Sequence, residues 1–175
     1  MTRIHSLGSE LRSVKNPLSL LSWLTALAIF PLAAAEHDRS VLDNAVSTAK
    51  IHSFTEILRN SGIPIERLRN EEVTLLVPVD VSFYDLTPEQ YERLLAPNDR
   101  ALAIAYIESH IVKGRFSLHD LEAGSHRTVN GTDVVVTRPL GSDESAEING
   151  RPVLQAGIVG SNGYAYLIHG FLSSR

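Results

Sequence analysis

Residues Val73 to Phe83, VTLLVPVDVSF, constrain the fold more tightly than any other stretch of this chain. Val73 to Val77 are all apolar or β-branched, a run too short for a helix with its own core face and suited to a buried strand. Pro78 has no backbone N–H to give a ladder, so the strand closes there. Asp80 then stands where an N-cap belongs, ahead of Ser82, Phe83 and Tyr84 in the next turn.

The first 35 residues read as an export leader. Arg3, Arg12 and Lys15 are its basic part, Leu18 to Phe30 its apolar run, and Ala33-Ala34-Ala35 a small-residue cleavage site. The apolar run ends at Pro31, short of the roughly 20 residues of a bilayer span. Cleavage is expected after Ala35, giving a secreted, periplasmic or extracellular protein; an uncleaved leader is the one expected route to a membrane. Removing Arg3, Arg12, Lys15 and Glu10 with the leader changes the formal charge from −4 to −6. An acidic chain without a basic block is unsuited to nucleic acid as a partner. The chain has no cysteine, which excludes a disulfide framework, thiol catalysis and thiolate metal sites.

Beyond a short polar entry at residues 36–39, one domain is expected over 40–175. Ser40 is placed to cap a helix from Val41, and Ser53 with Glu56 has capping-box spacing before Phe54, Ile57 and Leu58. Gly62 is a candidate C-cap, with Pro64 blocking continuation. Thr87, Pro88 and Gln90 combine a cap, a first-turn proline and a capping-box partner. Asn98 opens the longest periodic stretch, Arg100 to Val112, which Gly114 ends. From there the period becomes strand-like. Asn130-Gly131, Asn149-Gly150 and Asn162-Gly163 each mark a tight turn, the last before a closing strand Tyr164 to Ile168. Helices in the first half and strands in the second imply an α+β domain.

Three segments in order resemble the signature of the fasciclin-like domain, a secreted adhesion and binding module. In VTLLVPVDVSF, Thr74, Pro78, Asp80 and Phe83 match its opening strand, proline, aspartate and aromatic. In AYIESHIVKGRFSLHDL, His110 falls on the family's tyrosine-histidine segment, with Ser109 in place of the tyrosine. In GSNGYAYLIHGFL, Asn162 and Gly163 match the turn before the closing strand; Tyr166 replaces a usual histidine and His169 a usual aspartate. These positions are expected to be mainly structural. The resemblance implies an α+β fasciclin-like fold, short N-terminal helices packed on a curved, largely antiparallel β-sheet wedge. It also implies a non-enzymatic module for adhesion to an extracellular or envelope protein or polysaccharide, without a cofactor. In animal matrix members the aspartate and tyrosine-histidine motifs are implicated in integrin contact; without the tyrosine, no such role is carried over. Some members bind lipophilic molecules such as carotenoids, so a small lipophilic-ligand carrier is the alternative. Its groove would be lined by Leu75, Val77, Ile104 and Ile107, for which core packing is the simpler reading.

The histidines outside the leader (His37, His52, His110, His119, His126 and His169) show no metal-helix spacing with a third ligand in reach. His110 is expected at a helix end, buried and hydrogen-bonded to nearby backbone. Ser109, His110 and Asp120 contain the letters of a triad, but successive helical residues point about 100° apart, which sets Ser109 and His110 facing away from each other. Asn130-Gly131-Thr132 is a glycosylation sequon, relevant in a eukaryotic source, and is equally explained as a turn.

Overall fold

Val73–Pro78 forms β1, buried along its whole length as an interior strand of a sheet. It runs antiparallel to β2 (Ile111–Lys113) and parallel to β8 (Gly163–Ile168). Side chains alternate across the pleat. Leu75, Val77, Ala165 and Leu167 enter the larger core, and Leu76, Tyr166 and Ile168 a smaller one with Val112, Leu121, Val134 and Ile148. A strand buried on both faces is expected to be apolar or β-branched along its length, which accounts for the run, Thr74 being the one polar residue in it. The proline is placed as its chemistry requires. Leu76 donates its N–H to His110 O on the β2 side, so two residues later the missing N–H of Pro78 faces the same side, beyond the end of β2.

The computed structural model describes residues 38–48, 50–138 and 146–172, which fall in one compact unit, Ala33–Arg175. The expected leader, its cleavage site and the first half of the polar entry lie outside these residues. Among them, no helix is long and apolar enough to cross a membrane.

The sheet continues from β8 through β7 (Arg151–Gly160) and β6 (Glu147–Ile148) to β5 (Val136–Thr137), in the order β2-β1-β8-β7-β6-β5. Of its described pairings only β1–β8 is parallel, so the sheet is largely antiparallel as expected. Two register shifts in β7, flanking Gln155, bend the strand. A separate ribbon pairs β3 (His126–Arg127) with β4 (Asp133–Val134).

The helices α1 (Val41–Val46), α2 (His52–Ser61) and α3 (Ile65–Asn70) precede β1. After it come a 3-10 helix (Asp80–Asp85), α4 (Pro88–Leu95), α5 (Arg100–Glu108) and, past β2, α6 (Leu118–Ala123). Ser40 caps α1, Gly62 ends α2 at φ 77°, and Thr87 with Gln90 closes a capping box on α4, all as expected. A second capping box, Ser117 with Asp120, opens α6.

Four local expectations are corrected. The helix from Arg100 ends at Glu108, because Ile111 and Val112 find strand partners in Leu75 and Thr74. Its N-cap position is Asp99, after a 3-10 turn at Pro97–Asp99, and not Asn98. Ser53 and Glu56 form no capping box, since α2 already begins at His52. The β7–β8 turn consists of Ser161 and Asn162, with Gly163 paired to Gly160 as the first residue of β8. Asn149-Gly150 does form the tight two-residue turn expected, both residues at positive φ.

Candidate functional site

The motif residues of the first segment hold elements together. Thr74 Oγ1 donates to Gly114 O at 2.8 Å and accepts the Phe116 N–H at 2.9 Å, fastening the loop after β2 to β1. Asp80 is a cap, but for a different helix from the one expected. Its Oδ1 accepts the Ser53 N–H of α2 at 2.8 Å, and the 3-10 helix that Asp80 opens has no side-chain cap. Phe83 is buried and packs edge-on against Tyr91 and Phe171.

Asn162 and Gly163 are likewise packing residues. The Asn162 amide accepts the Val41 N–H and donates to Leu68 O and Glu71 O, tying the start of α1 and the end of α3 to the β7–β8 turn. Gly163 lies so close to β1 that a Cβ there would overlap Val73 O. Asn130 Oδ1 accepts from the Thr128 hydroxyl and from the Thr132 N–H and hydroxyl, and its Nδ2 donates to Ala105 O at 3.4 Å. The sequon asparagine is thus the centre of the loop joining β3 to β4.

His110 is fully buried, as expected of a helix-end histidine. Its Nε2 accepts the Leu172 N–H at 3.2 Å, which requires the proton on Nδ1; Nδ1 donates toward Tyr106 O at 2.8 Å. Burial pushes its pKa down to about 4, only partly offset by the bond to Tyr106 O. Contrary to expectation, Ser109 Oγ lies 2.8 Å from His110 Nδ1. Both side chains fold back over the last turn of α5, where Tyr106 O is also 2.6 Å from Ser109 Oγ. The single Ser109 hydroxyl proton is shared between that carbonyl and Leu172 O, which is 2.8 Å away. The pair therefore grips both backbone polar groups of Leu172, and both its members are buried. Asp120 is elsewhere, exposed in the capping box of α6.

Around this clasp sits an aromatic cluster. Tyr106 packs against His110, Phe54, Phe83 and Phe171, with ring centres 4.7 to 6.5 Å apart. Its hydroxyl is buried with no hydrogen-bond partner among the described residues, and burial, then the nearby Tyr91, raises its pKa well above the ordinary value. A half-open cavity of about 230 Å³ adjoins the cluster, walled by Leu86, Leu94, Leu102, Tyr106, Phe171 and Leu172, with Ser109 and Asn130 at its polar margin. A larger depression of about 410 Å³ lies along α2, where Val46 and Ile51 form its apolar floor and His52, Thr55, Glu56 and Arg59 complete the lining. Leu75, Val77 and Ile107 are fully buried core residues and Ile104 is half-buried; none of the four lines either cavity. Among the described residues, no three His, Asp or Glu side chains are grouped so as to hold a metal ion.

Tyr106, Phe171 and Leu172 are not singled out by the sequence motifs. The signal for Tyr106 is its spacing, four residues before His110 and hence on the same helical face. Phe171 and Leu172 follow the closing strand as an apolar pair, which marks a segment that returns to the core.

The fasciclin domain family model matches residues 49–174. No curated protein matches the chain. Among solved structures, a FAS1 domain pair from the insect cell adhesion molecule fasciclin I is similar, with a TM-score of 0.60 at 16% identity. The match covers 71% of this chain and 47% of that one, so the chain spans about half the length of the pair. At that identity the likeness concerns the fold.

Proposed function

Since the chain belongs to the fasciclin domain family, we propose that it is a non-enzymatic recognition module acting outside the cytoplasm, by adhesion to an extracellular or envelope protein or polysaccharide. The observation that carries this reading is the exposed face of the 3-10 helix after β1. Tyr84 is 84% exposed and Val81 49% exposed, while Ser82 and Phe83 between them are buried. Residues three apart on a 3-10 helix are eclipsed, so the two apolar side chains share one outward face on a rigid mount. A pre-positioned exposed aromatic is the kind of group that anchors protein recognition. The fold shared with a domain pair of an insect cell adhesion molecule supports the same reading. The test is saturable binding of the labelled, purified chain to matrix or envelope preparations; binding that is absent, or unsaturable, would remove the proposal.

The alternative, a small lipophilic-ligand carrier, is supported by the apolar cavity beside Tyr106 rather than by the groove expected from the sequence. At about 230 Å³ it lies below the roughly 300 Å³ at which small-molecule sites begin, which favours the recognition reading. Native mass spectrometry after purification discriminates the two: a co-purifying apolar ligand supports the carrier.

A further inference from the structure

The strap Gly170–Leu172, which follows β8, is fastened at two points. Gly170 donates its N–H to Ser82 Oγ at 2.8 Å and sits at φ 101°, a backbone conformation open to glycine. At the far end Leu172 is gripped on its N–H by His110 Nε2 and on its C=O by Ser109 Oγ. Between these points Phe171 packs on Phe83 and Tyr106, and Phe171 and Leu172 make two walls of the aromatic cavity. We propose that this strap is an acid-released latch: the Ser109–His110 pair holds it closed against the cavity, and protonation of His110 frees it to swing about Gly170.

The chemistry of the grip supplies the trigger. Neutral His110 uses both ring nitrogens, Nδ1–H toward Tyr106 O and Nε2 as acceptor for Leu172. Adding a proton turns Nε2 into a donor that faces the Leu172 N–H, so the bond is lost and a cation is left in an apolar site. The groups against the ring are Phe54 from α2, Tyr106 and Ser109 from its own segment, and Leu172 from the strap. Tyr106, the titratable one, stays neutral because burial raises its pKa. No described charged group shifts the ionisation of His110. The closed state holds the imidazole near 4, below its ordinary 6.5, so the latch is at full strength above about pH 6.5. Between 6.5 and 4 the opening equilibrium should rise about tenfold per pH unit lowered.

Amide hydrogen exchange on the full chain, corrected for the intrinsic pH dependence of exchange, reads this directly. The expected result is that opening at the Leu172 amide rises about tenfold per pH unit lowered between 6.5 and 4 while amides of β1 and β8 keep their protection. A flat Leu172 profile, or strand amides that open in step with it, would overturn the proposal. His110→Gln presents an acceptor that does not titrate, and should abolish the pH dependence. Ser109→Ala removes the other half of the grip and serves if that variant fails to fold: Leu172 should open more at every pH with an unchanged slope. An unaltered Leu172 in Ser109→Ala would equally overturn the latch.

Discussion

The Asp80 carboxylate accepts the backbone N–H of Ser53 at 2.8 Å, so a residue two positions past the end of β1 caps the earlier helix that begins at His52. The helix needs it. Ile51 occupies the N-cap position of α2 and has no side-chain acceptor to offer. The Asp80 N–H also donates to Lys50 O at 2.8 Å, so strand exit and helix entry are tied in both directions. Asp80→Ala should lower stability by about 0.5–2 kcal/mol in urea unfolding, and Asp80→Asn, which keeps the acceptor oxygen, should be nearly neutral. Asp80→Ser should behave like the alanine variant, because a serine hydroxyl stops one bond short of the Ser53 amide. A serine variant as stable as wild type would mean that the cap is local after all.

Asn162 makes the same kind of connection with three partners. Replacing it with alanine leaves the Val41 N–H and two carbonyls without their partner, and should cost about 2 kcal/mol or more. Asn162→Asp is the sharper variant. One carboxylate oxygen can still accept from Val41, but the other then faces Leu68 O and Glu71 O, acceptor against acceptor. Chemical denaturation should place the aspartate variant at or below the alanine variant at neutral pH, with partial recovery as the carboxyl is protonated.

These contacts show where the sequence is readable and where it is not. β1 is legible because a strand buried on both faces is apolar at nearly every position, Thr74 with its satisfied hydroxyl excepted, and that is a local property. Ser40 and Thr87 were legible as caps because their partners lie three residues away. The end of α5 was not. Ile111 and Val112 extend the helical pattern in sequence, and only the edge offered by Thr74 and Leu75 turns them into a strand. Asn162 does lie in the turn that its sequence signals, but its side-chain amide reaches residues 91 to 121 positions away, so its packing role lies beyond any local window. Ser109 and His110 were expected to diverge, as ideal helical geometry demands. They converge because the helix ends there and both reach back toward Tyr106 O.

Two glycines distinguish close approach from backbone conformation. At Gly163 an added Cβ meets backbone, Val73 O, which cannot move without breaking the β1–β8 ladder. Gly163→Ala should therefore cost about 3 kcal/mol or more. At Gly150 the φ is 73° but the space is open, so Gly150→Ala should cost about 1–2 kcal/mol, the left-handed penalty alone. Equal destabilisation of the two variants, measured by thermal unfolding, would contradict the close strand contact.

Tyr106→Phe isolates one unsatisfied atom. The hydroxyl is buried without a partner among the described residues, whereas the ring is packed on four sides by Phe54, Phe83, His110 and Phe171. Deleting the oxygen keeps the packing and removes a desolvated polar group, so the variant should be more stable by about 1 kcal/mol. Tyr106→Ala, which removes the ring as well, should cost about 3–5 kcal/mol. Destabilisation by the phenylalanine variant would show that the hydroxyl has a partner in solution.

Tyr84 separates recognition from folding. Its ring is almost wholly in water, so Tyr84→Ala should change stability by no more than about 0.5 kcal/mol. If the outward face of the 3-10 helix is the contact surface, the same substitution should weaken binding to matrix or envelope by about 2 kcal/mol, roughly thirtyfold. Val81 shares that face, and Val81→Asp should weaken binding too, since it places a charge in the contact. Leu154 is as exposed as Val81 and lies on β7, so Leu154→Asp serves as the control on another element and should leave binding unchanged. Binding lost equally in all three variants would point to nonspecific apolar adsorption, and binding kept in Tyr84→Ala would move the contact surface elsewhere.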